Sequence, residues 1–430
     1  MRNKTTLKIA AILMAVFLSF GKTAFSQGTL RAGMARVDIT PSIPVELYGY
    51  ASRKTLSTGV HDQLFARVMV FENSGNKLVL ISSDIGSYDF DLFKTIRKSL
   101  IEKFGLRESE LLLSAIHSHS SPVVYLNPQG LHENNVRYTK ELVQKLISAV
   151  GEAFAGLKAV TTGADAGSSP VGSNRREMAK DGAIKLGRNP YGPADKEVLV
   201  MKVAATDGSF TGVIYDYATH ATSLGPDNML ISGDVLGLSA QFVEKILGKN
   251  TISPVFAGAS GDIDPWYRIL PGFNEEPGWI PETVLLGTLL GEEVVLVFRR
   301  INETKPGGEI ATLTYTLECN RRKLDEPANI INNENQKGSV PVIITVAKVG
   351  EDVAFVGFSV EMLTEIGMAI KEASPFKYTF IITHCNGDSG YLPPAHLYKE
   401  GGYEVTSSEF EIGSAEKVVK QTLTMLYGLK

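Results

Sequence analysis

The sequence predicts an α/β protein with mixed β-sheets flanked by helices, folded as one large domain. Apolar runs rich in β-branched residues alternate with segments of helical periodicity along the chain, which is the pattern of α/β folds. Of the 430 residues, 43 % are hydrophobic and 21 % are charged, close to the averages of folded globular proteins. No internal repeat, low-complexity segment or long Pro/Ser-rich linker divides the sequence.

The charge and the cysteine content exclude several classes of protein. The formal net charge is −4, so the chain lacks the positive charge typical of a nucleic-acid binder. Two cysteines are too few for a disulfide scaffold or a cysteine zinc cluster. Cys319 and Cys385 could pair in an oxidising compartment, but the sequence does not show that they meet.

The N-terminus has the pattern of a secretory signal peptide. Basic residues precede an apolar run over residues 9–21, and the small residues Ala24 and Ser26 follow it. The run is shorter than the ~20 residues of a membrane-spanning helix. We therefore expect residues 1–26 to be removed on export to the periplasm or the medium, leaving one domain over 27–430. No second long apolar stretch predicts a membrane span in the mature chain.

The first half of the chain predicts two buried strands and two helices. Residues 77–82 (KLVLIS) and 110–116 (ELLLSAI) are short continuous apolar runs, as expected of buried strands. Residues 89–104 have a helical pattern. Apolar side chains also recur at helical spacing over 135–157, which gives that helix one core-facing side.

The second half continues the alternation of strands and helices. The predicted strands are 198–204, 212–217, 342–347, 353–358 and 378–382. A helix is expected over 280–300, where Pro281 suits the first turn. Another helix is expected after Ser407.

Side chains capable of chemistry follow the predicted strands. They are Asp84, His117, His119, His220, Asp262, Asp264, Glu361 and His384. In α/β folds the strand ends and the loops after them build active sites. Because so many such side chains follow strands in one chain, we predict that they share one site.

His117 and His119 form an H-x-H pair directly after a strand. On an extended segment the pair would place both rings on one face, which suits one metal ion, or one ligand and a general base. His220 and Glu361 would complete a set of two histidines and a carboxylate, which is common in catalytic zinc sites. The competing interpretations are a polar loop without metal, a satisfied core histidine and, for Glu361, an acidic residue at a helix N-terminus.

Residues 258–265 (GASGDIDP) form a loop of small residues that lets the backbone approach a ligand. Asp262 and Asp264 could bind a cation, orient a metal-bound histidine or cap the next element. The Gly-Lys-Ser/Thr of a P-loop is absent, and so is the G-x-S-x-G of α/β-hydrolase serine esterases.

These motifs resemble those of the neutral ceramidase family, zinc-dependent amidases of the neutral/alkaline non-lysosomal type. Residues 114–122 (SAIHSHSSP) are similar to the family's SATHTHSGP, the most specific piece. The other matches, in the family's order, are residues 32–41 (AGMARVDITP), 59–62 (GVHD) with 66–67, 174–176 (NRR), 232–234 (SGD), 261–265 (GDIDP) and the tyrosines Tyr391, Tyr398 and Tyr403.

The resemblance implies one zinc ion per chain and cleavage of an amide bond by metal-activated water. The zinc ligands of the family fall on His117, His220, Glu361 and Tyr391. Its further catalytic positions fall on His119, Asp262, Asp264 and Tyr403, and its substrate-contacting arginine falls on Arg175 or Arg176. The implied partner is a small-molecule or lipid substrate, for which transient contact with a membrane surface would be consistent.

The chain departs from the family pattern at three points. Asp264 stands where the family carries a catalytic serine, so a serine-centred mechanism does not carry over. Ser359 and Val360 replace the Pro-Gly before the glutamate ligand. Only 27 residues follow Tyr403, so we expect the family's C-terminal β-sandwich domain to be absent.

These departures leave the substrate open between ceramide, another N-acyl compound, an ester or lactone, and an acylated sugar. Three alternatives to an amidase also stay open: a zinc-dependent esterase or lactonase, a non-catalytic ligand-binding homologue, and a two-metal phosphoesterase. The phosphoesterase would need further carboxylates, for which the candidates are Asp84, Asp234, Asp262 and Asp264.

Overall fold

The computed structural model describes residues 28–127, 130–248, 250–265, 282–322 and 338–430. The signal peptide over 1–26 and the helix start at Pro281 lie outside these residues and stay predictions. None of the helices in the described ranges combines the length and the apolar character needed to cross a bilayer.

Strands and helices alternate along the chain, and the predicted mixed α/β fold class is confirmed. The strands are Arg31–Asp38 (β1), Gly59–Val60 (β2), Phe65–Asn73 (β3), Asn76–Ser83 (β4), Leu111–Ala115 (β5), Lys158–Ser168 (β6), Gly172–Met178 (β7), Ile184–Asn189 (β8), Glu197–Ala205 (β9), Thr211–Tyr217 (β10), Leu230–Ile231 (β11), Thr251–Ile252 (β12), Val255–Ala257 (β13), Ile263–Pro265 (β14), Lys305–Pro306 (β15), Ile310–Asn320 (β16), Ser339–Val349 (β17), Val353–Phe358 (β18), Glu361–Met362 (β19), Tyr378–Ile382 (β20) and Tyr391–Leu392 (β21). The α-helices are Phe90–Phe104 (α1), Glu133–Ala155 (α2), Asp234–Leu247 (α3), Glu282–Arg300 (α4), Thr364–Ala373 (α5), Tyr403–Thr406 (α6) and Ser414–Leu429 (α7).

Two sheets form the centre of the fold. The larger sheet has the strand order β12-β10-β9-β6-β1-β3-β4-β5, with β13 beside β10 and β15 beside β6. The smaller one has the order β16-β17-β18-β20. Both sheets are mixed, because β4 and β5, β10 and β13, and β18 and β20 pair in parallel while most other neighbours are antiparallel.

The two sheets stack face to face between two layers of helices. In β3, Val68 and Val70 pack with α1 and α2, whereas Met69 and Phe71 pack with the smaller sheet. This alternation is the two-residue period of a strand buried on both faces. On the outer face of the smaller sheet, α5 and α7 bury their apolar sides, so the core has the layer order helix, sheet, sheet, helix.

Most predicted elements are confirmed to within a few residues. The helix predicted from residue 89 begins at Phe90, because the Asp89 carboxylate caps it by accepting a 2.7 Å hydrogen bond from the Leu92 amide. The longer elements that were not predicted are the strands β1, β3, β6, β7, β8 and β16 and the helix α3. Strand β16 is an edge strand with a mostly exposed central stretch, so it lacks the apolar run that reveals a buried strand.

Cys319 and Cys385 are both buried and both free. Cys319 belongs to the cluster between the smaller sheet and its helices, and Cys385 to the cluster between the two sheets. The pairing that the sequence left open is therefore not made in this structure.

A buried ion network ties the larger sheet to α3. Arg67 of β3 donates to both carboxylate oxygens of Asp84 at 2.9 and 3.1 Å, and to Glu244 at 2.9 Å. Arg67 and Asp84 have no exposed surface. Asp84, which follows a strand as the sequence analysis noted, is thus part of the scaffold.

Candidate metal centre

Four side chains from three segments converge at the carboxyl ends of the parallel strand pairs. His117 and His119 follow β5, His220 follows β10, and Glu361 opens β19 just after β18. The parallel pairing of β4 with β5 and of β18 with β20 brings these ends together from both sheets. The structure therefore places the four predicted residues in one site.

The spacing of the donor atoms fits a single metal ion. His119 Nε2 lies 3.3 Å from His117 Nε2, and Glu361 Oε1 lies 3.5 Å from His117 Nε2 and 2.8 Å from His220 Nε2. A tetrahedral ion with bonds of about 2.0–2.1 Å separates its donors by roughly 3.3 Å. The separations of His117 from His119 and from Glu361 match this value, whereas Glu361 and His220 lie closer together.

The hydrogen bonds behind the rings select the tautomer that metal binding needs. The Nδ1 atom of His117 lies 3.0 Å from the Gly86 carbonyl oxygen, and that of His220 lies 2.7 Å from the Ser260 carbonyl oxygen. A carbonyl only accepts, so each Nδ1 carries a hydrogen and, in the neutral ring, each Nε2 lone pair faces the Glu361 carboxylate. A positive charge between such a lone pair and the carboxylate, either a proton or a metal ion, stabilises this arrangement.

The electrostatics of the site favour the cation-binding forms of His119, His220 and Glu361, whereas for His117 the facing Glu361 outweighs the effect of burial and raises the pKa. Burial and the charge of Arg175 lower the pKa of His220, and burial together with the neighbouring histidines holds the pKa of His119 well below its usual value. Burial alone would raise the pKa of Glu361, but the facing His117 and His220 hold it well below its usual value. Glu361 is thus ionised and His119 neutral near pH 7.

The two rings of the H-x-H pair do not converge for the reason that the sequence suggested. Strand β5 ends at Ala115, and His117 has a left-handed backbone with φ of +60°. The expectation of an extended segment is therefore wrong. The rings meet because a turn follows the strand and the His119 amide then donates to the Ala221 carbonyl at 3.0 Å.

Tyr391 lies beside the carboxylate because two short strands pair there. Strands β19 and β21 are parallel, with Glu361 opposite Tyr391. The Tyr391 hydroxyl accepts a 3.0 Å hydrogen bond from Arg175 Nη2. Burial and the negative charge of Glu361 keep the pKa of Tyr391 well above its usual value, so the phenol is neutral in this structure.

The structure separates the two candidate arginines. Arg175 reaches the metal centre, with Nη1 3.3 Å from His220 Nε2 and 3.2 Å from Asp264 Oδ1. Arg176 instead donates to Glu404 at 2.9 Å and to the Gly401 carbonyl at 2.8 Å, away from the histidines. The pairing of β7 with β8 has a register shift between Asn174 and Arg176, at the point where the two arginine side chains take different directions.

The remaining predicted residues lie around this centre. The Asp262 carboxylate accepts from the Thr364 amide at 2.8 Å and from Asn174 Nδ2 at 2.9 Å, so it connects three segments. Asp264 accepts from Thr222 as well as from Arg175. Tyr403 is 46 % exposed, with its ring 5.6 Å from that of Tyr391, so it lies at the entrance.

The sequence analysis noted His384 only as a residue that follows a strand. Its ring stacks on that of His117, with the centroids 3.8 Å apart and the planes 11° apart. Among the described residues, both groups of side chains that could hold a metal contain His117, and one of them includes His384. The four aspartates needed for a second metal do not form such a group.

A protein-family model described as "Neutral/alkaline non-lysosomal ceramidase, N-terminal" matches residues 30–265. The neutral ceramidase of Drosophila melanogaster is 26 % identical over 284 residues, which are 58 % of this chain and 38 % of that protein. The neutral ceramidase of Pseudomonas aeruginosa is 24 % identical over 289 residues, 61 % of this chain and 41 % of that one. These matches thus span less than half of each relative.

The fold is also similar to a solved structure. The crystal structure of the neutral ceramidase from Pseudomonas aeruginosa superposes with a TM-score of 0.76 at 17 % identity, over 94 % of this chain and 74 % of that one. At this level of identity the similarity establishes the shared fold.

Proposed function

This chain belongs to the neutral/alkaline non-lysosomal ceramidase family, and we propose that it is a zinc-dependent hydrolase of the amide bond in an N-acyl compound, with ceramide as the first candidate. The observation that carries the proposal is the approach of the His117 and His220 Nε2 atoms to the Glu361 carboxylate, at 3.5 and 2.8 Å, with His119 Nε2 3.3 Å from His117 Nε2. The names of the curated relatives supply the candidate substrate.

Zinc is the metal that these donors suit best. Imidazole nitrogens with one carboxylate are a recurrent zinc set, and zinc accepts the four-coordinate geometry that the spacing fits. The bound ion would supply an activated water and polarise the scissile carbonyl. His119, whose Nε2 atom lies 3.3 Å from His117 Nε2, would accept the proton and return it to the leaving amine.

Arg175 and Tyr391 would orient the acyl group. The Glu404 and Asp264 carboxylates hold the Arg175 guanidinium group at 2.8 and 3.2 Å. Its orientation is therefore fixed before the substrate enters. The Tyr391 hydroxyl beside it can donate to a developing oxyanion. Asp264 occupies the serine position of the family, and its contact with Arg175 gives it a positioning role.

Substituting Gly49 tests the placement of His119. A Cβ atom on Gly49, which has φ of +96°, would lie 2.3 Å from the His119 ring. We expect Gly49→Ala to displace the ring and lower the rate of hydrolysis by roughly 100-fold, as small misplacements of catalytic groups do. Gly75→Ala is the matched control, because Gly75 also has positive φ (+84°) but open space around it. Equal rates in the two variants would contradict the role of His119.

A metal assay joined to a substrate panel tests the proposed function. We expect the purified full chain to contain one zinc per molecule by mass spectrometry and to hydrolyse N-acyl sphingosines or short N-acyl amines. Chelation should abolish the activity and added zinc should restore it. His396→Ala, which alters an exposed histidine outside the centre, should change neither. Zinc binding with cleavage of lactones or esters alone would refute the amidase assignment, and a chain without metal affinity would refute the whole proposal.

A further inference from the structure

His384 is a buried imidazole without a hydrogen-bond partner. Its side chain follows β20 and is 1 % exposed, and neither ring nitrogen has a partner among the described residues. A buried polar atom left unpaired costs about 1–3 kcal/mol. Such a group is retained at a fixed position where a bound molecule supplies the missing partner.

The backbone holds His384 in place from both sides. Its amide donates to the Val360 carbonyl at 3.4 Å, and its carbonyl accepts from the Ala115 amide at 3.2 Å. Its φ is +49°, which is uncommon for a residue other than glycine. Unfavourable backbone conformations of this kind are concentrated at functional sites, and His117, on which its ring stacks, has one too.

The ring faces the metal centre but is not oriented as a ligand. One of its nitrogens lies within 4.8 Å of the donor atoms of His117 and Glu361. However, the ring planes of His384 and His117 are nearly parallel, at 11°. The in-plane lone pairs of two parallel stacked rings point side by side, so they do not converge on one ion. The structure therefore leaves a nitrogen of His384 close to the ion position, within 4.8 Å of donor atoms of both His117 and Glu361.

We propose that His384 is a further substrate-contacting residue, whose ring forms a hydrogen bond with an oxygen of the acyl group bound against His117 and Glu361. The class of ligand rests on the proposed function, whereas the residue is identified by its burial, its unpaired nitrogens and its stacking. The carboxylate product of amide hydrolysis presents the same kind of oxygen, so a fatty carboxylate can probe the contact directly.

Octanoate binding to the zinc-loaded full chain tests this inference. His384→Phe keeps an aromatic ring on His117 and removes both nitrogens. We expect it to bind zinc with a Kd within about twofold of the wild type and octanoate about tenfold more weakly, the effect of losing one hydrogen bond. His396→Phe is the matched control on the surface. His384→Gln, which retains polar atoms without the ring, should recover part of the octanoate affinity and covers the case in which the phenylalanine variant does not fold.

Two results would overturn the inference. Octanoate affinity equal to the wild type in both variants would show that His384 only packs. A zinc Kd raised tenfold or more in both would show that it is a ligand. A wild-type chain that binds zinc and octanoate but cleaves no amide would contradict the proposed function alone, because the contact would still be measured.

Discussion

Replacing Glu361 by glutamine is expected to remove bound zinc and hydrolytic activity together. The substitution keeps the shape of the side chain but removes the negative charge that faces His117 and His220 at 3.5 and 2.8 Å. Loss of a residue that only supports a ligand weakens metal binding 10–100-fold, so loss of the ligand itself should raise the zinc Kd by at least about 100-fold.

The measurement is a competition titration with a chromophoric zinc chelator, followed by hydrolysis assays at saturating zinc. Glu365→Gln is the matched control, because Glu365 lies four residues further along the chain, in α5, and pairs with the surface residue His396 at 3.2 Å. We expect the control to bind zinc as the wild type does. Stoichiometric zinc of unchanged affinity in Glu361→Gln would show that the assignment of ligands is wrong.

Arg67→Ala is expected to cause the largest loss of stability. Both carboxylates now lie 2.9 Å from the guanidinium. The substitution leaves Asp84 buried without its cation, and leaves Glu244 with Arg36 as its remaining cationic partner. Removing one side of a buried ion pair costs about 3–5 kcal/mol, because the remaining charge is neither hydrated nor compensated. The free energy of unfolding from urea titrations measures this loss.

Arg31→Ala is the control for this prediction. Arg31 lies in the adjacent strand β1 and pairs with Glu72 at 2.7 Å, but its side chain is 47 % exposed. Exposed pairs contribute about 0–1 kcal/mol, since water screens them and solvates either partner alone. Similar losses in the two variants would mean that burial does not determine the contribution of the Arg67 network.

Sequence reasoning located most of the buried strands and three members of the metal centre. His117, His220 and Glu361 could be chosen because each follows an apolar run, and strand ends meet at one edge of a sheet. The edge strand β16 was missed because its apolar residues alternate with threonines and form no continuous apolar run. Tyr391 came only from the family resemblance, because a lone tyrosine in a loop has no signal of its own.

The choice between Arg175 and Arg176 also had to wait for the structure. The two are adjacent and chemically identical, so no local rule separates them. A register shift in β7 and the shared partner Glu404, far along the chain, accompany their separation. The role inferred for His384 also could not be predicted from the sequence, because it depends on ring stacking with His117, more than 250 residues away in the chain.

The sequence by itself determined the α/β class, the order of the main elements and the type of donor atoms available at the strand ends. These properties depend on local periodicity and on residue chemistry, both of which can be read from short stretches of the sequence. Only the tertiary structure decided which donors lie close enough to share one ion, which tautomers they adopt and which arginine reaches them. Those outcomes depend on distances and carbonyl contacts between segments far apart in the chain, which no local pattern encodes.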